Sequence, residues 1–185
     1  MDTKTAIIKL GDSLIREKGY NAFSFSDISK KLSIKNASVH YHFPTKTALG
    51  LAIIQEHHNR LDQLKTKMEN KAPIEKLNAF LSIYTVAESE HKICIIGSLA
   101  TDFYTVETEI QNKVKILADN ILNWVMEILQ DGKDKKVFLF NISTRTKALM
   151  IITNMLAAVQ LTRLTNKQDF KEIKENIIHD LTQTC

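Results

Sequence analysis

Within the seven residues from Asn36 to His42 the chain places an amide, a hydroxyl, two imidazoles and a phenol, on Asn36, Ser38, His40, Tyr41 and His42. Asn36, Ser38 and Tyr41 are of the types that read base edges or touch a thymine methyl in the major groove of a duplex, while imidazoles reach its phosphates. His40 and His42 do not make a metal pair, because positions i and i+2 point to different sides of a helix. His57, His58, Glu56 and Cys94 are the other residue types with chemical potential. Adjacent histidines on a charged helix read as surface residues, however, and no nucleophile, base and orienting group stand at motif spacing. No glycine loop able to cradle phosphate is present either. An enzyme is not expected, and no catalytic residue, metal or cofactor is assigned.

Two short helices joined by a tight turn must position the Asn36–His42 groups. Ser26 is placed to cap the first helix, and Ile28 and Leu32, at i and i+4, point into a core. Asp27, Ser29, Lys30 and Lys31 are left outside. After Ser33 the chain reverses, Ile34 returns to the core, and the second helix runs until Pro44 limits it. Tyr41 and Phe43 each have a core reading as well, and for Phe43 it is the better one. The segment is a helix-turn-helix, and an amphipathic helix over residues 3–18, with Ala6, Ile7, Leu10, Leu14 and Ile15 on its apolar face and Gly19 as its C′ residue, packs under it.

Charge supports that reading. Residues 1–50 hold seven Lys and one Arg against three Asp and one Glu, whereas the remaining 135 residues balance at 17 basic and 17 acidic groups. The whole surplus of +4 therefore lies with the helix-turn-helix, as a polyanion-binding module requires. Five glycines and two prolines in 185 residues are too few for a sandwich or barrel of many tight turns, and the fold class is all-α with about nine helices. No run of 18 apolar residues exists, the N-terminus is amphipathic and charged, and a cytoplasmic protein with no membrane partner is expected. Cys94 and Cys185 form neither a metal spacing nor a disulfide framework and read as reduced thiols.

Thr45 can cap a fourth helix over residues 46–70, which leaves the DNA-binding segment and is the natural lever between two domains. Pro73 introduces a helix over residues 74–89, a short apolar segment follows at 93–104, and a long helix over residues 105–130 is closed by Asp131-Gly132-Lys133. Ser143 can cap a helix over residues 143–164 that is apolar on too many faces for a lone surface helix. Thr165-x-x-Gln168 has the form of a capping box for a last helix reaching residue 183.

The run Val39-His40-Tyr41-His42-Phe43-Pro44-Thr45-Lys46, with Gly19-Tyr20 and Ser26-Asp27-Ile28 before it, resembles the DNA-binding domain of the TetR (tetracycline-repressor-like) transcriptional regulators over roughly the first 50 residues. Two positions depart from the family pattern. Ser33 stands where glycine is frequent, which predicts a non-glycine residue at positive φ. His40 stands where tyrosine is usual, so an imidazole replaces a phenol at a backbone contact. The resemblance implies a DNA-binding domain at residues 1–46 and an effector-binding and dimerisation domain at 47–185. It places Lys35, Lys46 and the Ser24 and Ser26 hydroxyls on phosphates, with His40 and His42 on the backbone beside them.

The resemblance further implies a homodimer through helices at about 143–164 and 167–183, a palindromic double-stranded operator, and a small-molecule effector that releases it. An independent reason supports the dimer, since a single helix-turn-helix makes few base contacts and a two-fold pair reads half-sites about 34–36 Å apart. Effector-binding candidates are Tyr84, His91, Cys94, Phe103, Tyr104, Trp124, Met126 and Met155, which mix aromatic bulk with a few polar handles. Glu88, Glu90 and Asp102 either favour a cationic effector or are simply solvated carboxylates. The stretch Cys94-Ile95-Ile96-Gly97-Ser98-Leu99-Ala100 resembles one found in a subset of the family. The competing readings are a DNA-binding protein without a ligand and a thiol-based redox or electrophile sensor acting through Cys94.

Overall fold

The computed structural model describes residues 2–183; Cys185 lies outside them. Among the described residues there are nine α-helices and no strand. They are α1 (Thr3–Lys18), α2 (Phe25–Leu32), α3 (Asn36–His42), α4 (Lys46–Met68), α5 (Pro73–Ser89), α6 (Ile95–Thr101), α7 (Thr108–Asp134), α8 (Thr144–Leu161) and α9 (Lys167–Thr182). The chain divides into two compact units. The first takes the described residues up to Arg60 together with Ile95–Ala118, and the second takes Leu61–Cys94 and the residues from Asp119 onward.

In the first unit, α1 starts at Asp2, whose carboxylate accepts the Thr5 amide at 2.8 Å. The same bond, with the Thr5 hydroxyl, holds the Asp2 carboxyl below its usual range. Ile7, Leu14 and Ile15 are fully buried, and each such side chain contributes about 1.5–3 kcal/mol of hydrophobic stabilisation. Leu10, on the same predicted face, is only half-buried. Gly19 ends α1 at φ 98°, a left-handed conformation that favours glycine. Space is limiting there too, because a Cβ on Gly19 would stand 3.1 Å from Asp102 Oδ2.

The segment at residues 95–118 packs as part of this unit. Ser98 Oγ, buried, donates to the Ile15 carbonyl at 2.6 Å. Asp102 accepts the Tyr20 amide at 2.6 Å and the Asn21 side-chain amide at 3.1 Å, and Asn21 Nδ2 also donates to Thr105 Oγ1 at 2.6 Å. Asp102 is thus committed to the turn between α1 and α2 rather than offered to a cationic effector. His57 and His58 are not surface residues: His58 is buried, and His57 Nε2 meets Asp12 Oδ1 at 2.5 Å. Burial pushes the Asp12 carboxyl up, but the His57 hydrogen bond and the charges of His57, Arg16 and Arg60 outweigh it and leave it below its usual range.

In the second unit Leu77, Phe80, Leu81 and Tyr84 from α5 are buried with Trp124, Val125, Ile128 and Leu129 from α7 and Ile151 and Met155 from α8. The predicted stop at Asp131-Gly132-Lys133 is not where α7 ends; the helix runs through Gly132 to Asp134. Gly132 is a packing glycine. A Cβ there would overlap the ring of Phe138, its closest atom at 2.0 Å, and Phe138 is fully buried. Pro73 opens α5, with the Glu75 carboxylate accepting the Ala72 amide at 3.0 Å. Ser143 caps α8 through the Thr146 amide at 3.1 Å. For α9 the cap is Asn166 and not Thr165: Asn166 Oδ1 accepts from the Gln168 and Asp169 amides at 2.9 and 3.2 Å. An amide one residue later satisfies two free N–H groups at once, where the hydroxyl of Thr165 returns to the Leu161 carbonyl inside the preceding turn.

Candidate nucleic-acid interface

The site is built from α2, the turn after it, and α3. Ser24, not Ser26, caps α2. Its hydroxyl accepts the Asp27 amide at 3.3 Å, while Asp27 Oδ2 takes the Ser24 amide and hydroxyl, both at 2.7 Å, which completes a capping box. These bonds draw the Asp27 carboxyl below its usual range. Ser26 lies within the first turn, exposed, and its carbonyl accepts the hydroxyl of Ser29, which is buried rather than outside. The reversal is made at Ser33, at φ 55° and ψ 40°, with its amide on the Lys30 carbonyl at 3.2 Å and the Ile34 amide on Ser29 at 3.0 Å. The predicted positive φ at a non-glycine residue is present.

Helix α3 is fixed from one side. Val39 is fully buried and Phe43, just past the end, is 4% exposed. Everything else on it is available: Lys35, Asn36, His40 and Tyr41 are exposed and Ser38 and His42 are half-buried. Tyr41 is 84% exposed, so its ring is not core. His40 stacks edge-on against Phe25 at 4.9 Å, which ties the outer face of α3 to the start of α2, and His42 packs edge-on against Tyr41 at 5.2 Å. Asn36, Ser38, His40, Tyr41 and His42 are therefore brought together on one short helix.

Lys46 sits differently. Its ammonium donates to the Phe23 carbonyl at 2.6 Å and lies over the rings of Phe23 and Tyr20, at 4.4 and 4.8 Å from their centres. Partial burial pulls its pKa down against the opposing charges of Asp102, Glu107 and Asp27. The Tyr20 hydroxyl beneath it is pushed up to about 12 by burial and by Glu107. An ammonium has three donors, so the Phe23 bond leaves others for an anion. Among the residues that orient the site, Asp102 carried no local signal, because its partners lie 81 and 82 positions earlier in the chain.

The effector candidates are dispersed. Tyr84 and Trp124 flank Phe80, with ring centres 5.5 and 6.3 Å from it, and Cys94 and Met155 are buried. Burial, with a smaller contribution from Cys94, raises the Tyr84 hydroxyl well above its ordinary value. Met126 is half-buried and His91 is exposed at φ 57°. Phe103 and Tyr104 belong to the first unit instead, where they pack on each other at 5.4 Å with Tyr104 93% exposed. Trp124 also lines an opening of about 340 Å³ with Lys65, Glu69, Lys76 and Glu127. Among the described residues no group of three or more His, Cys, Asp or Glu is disposed to hold a metal ion.

Residues 7–53 match the family model described as bacterial regulatory proteins, tetR family. The chain is 32% identical to a TetR transcriptional regulator from Legionella pneumophila, with a TM-score of 0.87 and 98% of each chain covered. It superimposes with a TM-score of 0.86 on a TetR-family regulator from Agrobacterium tumefaciens, 24% identical over 97% of each chain. Among curated proteins it is 27% identical over 113 residues to IcaR of Staphylococcus epidermidis, a negative transcriptional regulator of a biofilm operon. That match spans 60% of this chain and 61% of the relative's length.

Proposed function

This chain belongs to the TetR family of bacterial transcriptional regulators, and from that premise we propose that it is a dimeric repressor which a small-molecule effector releases from a palindromic operator. The observation that carries this is α3, pinned by Val39 and Phe43 while Asn36, His40 and Tyr41 stand in solvent. Asn36, Ser38 and Tyr41 face base edges. Lys35, Ser26, His40 and His42 grip phosphates, joined by the free donors of Lys46, while Ser24 presents the start of α2. The proposed division puts the reading head at residues 1–46, within a compact unit that also takes in the chain to Arg60 and Ile95–Ala118, and gives the effector and the dimer partner to residues 47–185.

A second copy fits α8 and α9. Leu149, Met150 and Leu161 on α8 and Leu164 beyond it are exposed, and a groove of about 460 Å³ between the helices is lined by Ala157, Leu161, Ile173 and Asn176. Exposed apolar side chains beside an apolar-lined groove are the kind of surface that a second copy would cover. Effector binding would favour a conformation whose recognition helices miss the half-site spacing, lowering DNA affinity by the ratio of effector affinities for the two states. Tyr84, Trp124 and Met155, with Cys94 and Met126, are the proposed effector contacts in the second unit, and His91, Phe103 and Tyr104 are its outlying candidates. No helix among the described residues is long and apolar enough to cross a membrane, which suits a regulator working in the cytoplasm.

Fluorescence anisotropy tests the reading. The protein is titrated onto duplex DNA from upstream of its own gene and onto a shuffled duplex, across a salt series. Preferential binding to the upstream duplex, with a log–log salt slope of about −0.9 per neutralised phosphate, is expected. Equal weak binding to both, unchanged by Tyr41→Ala, would sink it.

A further inference from the structure

A helix entering a groove is read from the pole opposite its core. At 3.6 residues per turn, positions two before and two after buried Val39 lie roughly 160° from it. Those positions are Ala37 and Tyr41, both exposed, with Ser38 and His40 on the flanks. Ala37 is the smaller of the two side chains on that pole, so α3 can bring its backbone close to a base pair at this point. Beside it runs a groove of about 340 Å³, lined by Thr3 at the start of α1 and by Ile34, Ala37, Ser38, Tyr41 and His42. It is continuous with the exposed face of α3.

The lining selects among the four bases. Guanine is held by Arg or Lys, adenine by Asn or Gln and cytosine by Asp or Glu, whereas thymine presents a methyl group beside its O4 acceptor. The groove contains none of the first three sets. Its apolar members, Ile34, Ala37 and the ring of Tyr41, suit a methyl, and the Ser38 hydroxyl supplies a donor of the kind O4 accepts. Resting on the reading of this chain as a DNA-binding regulator, we infer that Ala37 is a specificity residue that seats the 5-methyl group of a thymine in each operator half-site, against Ile34 and Tyr41.

The test begins by selecting bound duplexes from a randomised pool with the full-length protein and measuring affinity for the enriched site by anisotropy. Each thymine is then replaced by deoxyuridine, which removes only the methyl. One position per half-site is expected to weaken binding about fourfold, the value of one methyl group withdrawn from water. Replacing it in both half-sites gives about sixteenfold. Ala37→Gly should bind the thymine site more weakly and lose the discrimination, giving a thymine-to-deoxyuridine ratio near one with an unaltered salt slope. Ala37→Ser, which keeps the helix better than glycine, should narrow the ratio as well. An enriched site at which no deoxyuridine matters, or a ratio unchanged in both variants, overturns the role of Ala37 while leaving the regulator intact. Failure to enrich any sequence overturns the regulator reading and this inference with it.

Discussion

The reading head and the second unit use aromatic residues in opposite ways. In the head, aromatic residues are sorted by position: Phe43 is buried, Tyr41 two residues earlier is 84% exposed, and His40 leans on Phe25. In the second unit Phe80, Tyr84 and Trp124 sit together in one cluster with all three buried. A short helix with one buried side has room for two populations of side chain, one that holds it and one that works. A helix enclosed among others does not show the division, so residues that would hold an effector look the same as those that hold the fold.

The largest expected effect lies in the enclosed cluster. Phe80→Ala leaves a cavity between Tyr84 and Trp124 and should lower stability by about 3–5 kcal/mol, read as a drop in the urea midpoint. A much smaller drop would mean that the second unit already contains space and that the cluster is a binding cavity rather than a packed core. Tyr41→Ala tests the other side of the comparison. It should change stability by no more than about 0.5 kcal/mol and weaken operator binding by about 1–3 kcal/mol. A loss of stability comparable to that of a core residue would place Tyr41 with Phe43 and remove the distinction.

The difference between the regions also explains what was legible in the sequence. The helix-turn-helix could be read because its determinants are close in the chain: a buried Ile28, a turn at Ser33, and a proline after α3, although Leu32, four residues beyond Ile28 and also expected in the core, is only half-buried. Local rules chose poorly between neighbours, as when Ser24 and Asn166 took the caps expected of Ser26 and Thr165. They failed outright where a distant side chain decides. Gly132 reads as a helix stop until Phe138 is seen against it, and Asp102 reads as a free carboxylate until Tyr20 and Asn21 are found on it. His57 and His58 looked solvated for the same reason, since nothing in α4 announces Asp12 on α1.

Asp102→Ala probes such a distant determinant. Removing the carboxylate leaves the part-buried Tyr20 amide without its acceptor, at a cost of about 1–3 kcal/mol in the urea midpoint. If the α1–α2 turn were held by its own residues alone, the midpoint would not move. Ser24→Ala and Ser26→Ala separate the two candidate caps. The first should cost about 1 kcal/mol and the second almost nothing by the same measurement, the pattern that a capping box at Ser24 requires.

The smallest effect is expected at Ser33, and its sign is the informative part. Serine at φ 55° is in a region that costs an L-residue roughly 1–2 kcal/mol, a strain glycine does not carry. Glycine brings back chain entropy in the unfolded state worth about 0.4–1 kcal/mol, which offsets part of the gain. Ser33→Gly should therefore stabilise the protein by somewhat under about 1 kcal/mol, a rise of a few degrees at most in the melting temperature. The Ser33 side chain is exposed, so its loss removes no packing to confuse the result. Destabilisation would mean that serine makes the turn without strain and that this reversal, unlike the one at Gly19, places no demand on residue type. Stabilisation with undiminished operator affinity would show that the head tolerates the residue its turn geometry prefers, and that the serine is not itself part of the DNA contact.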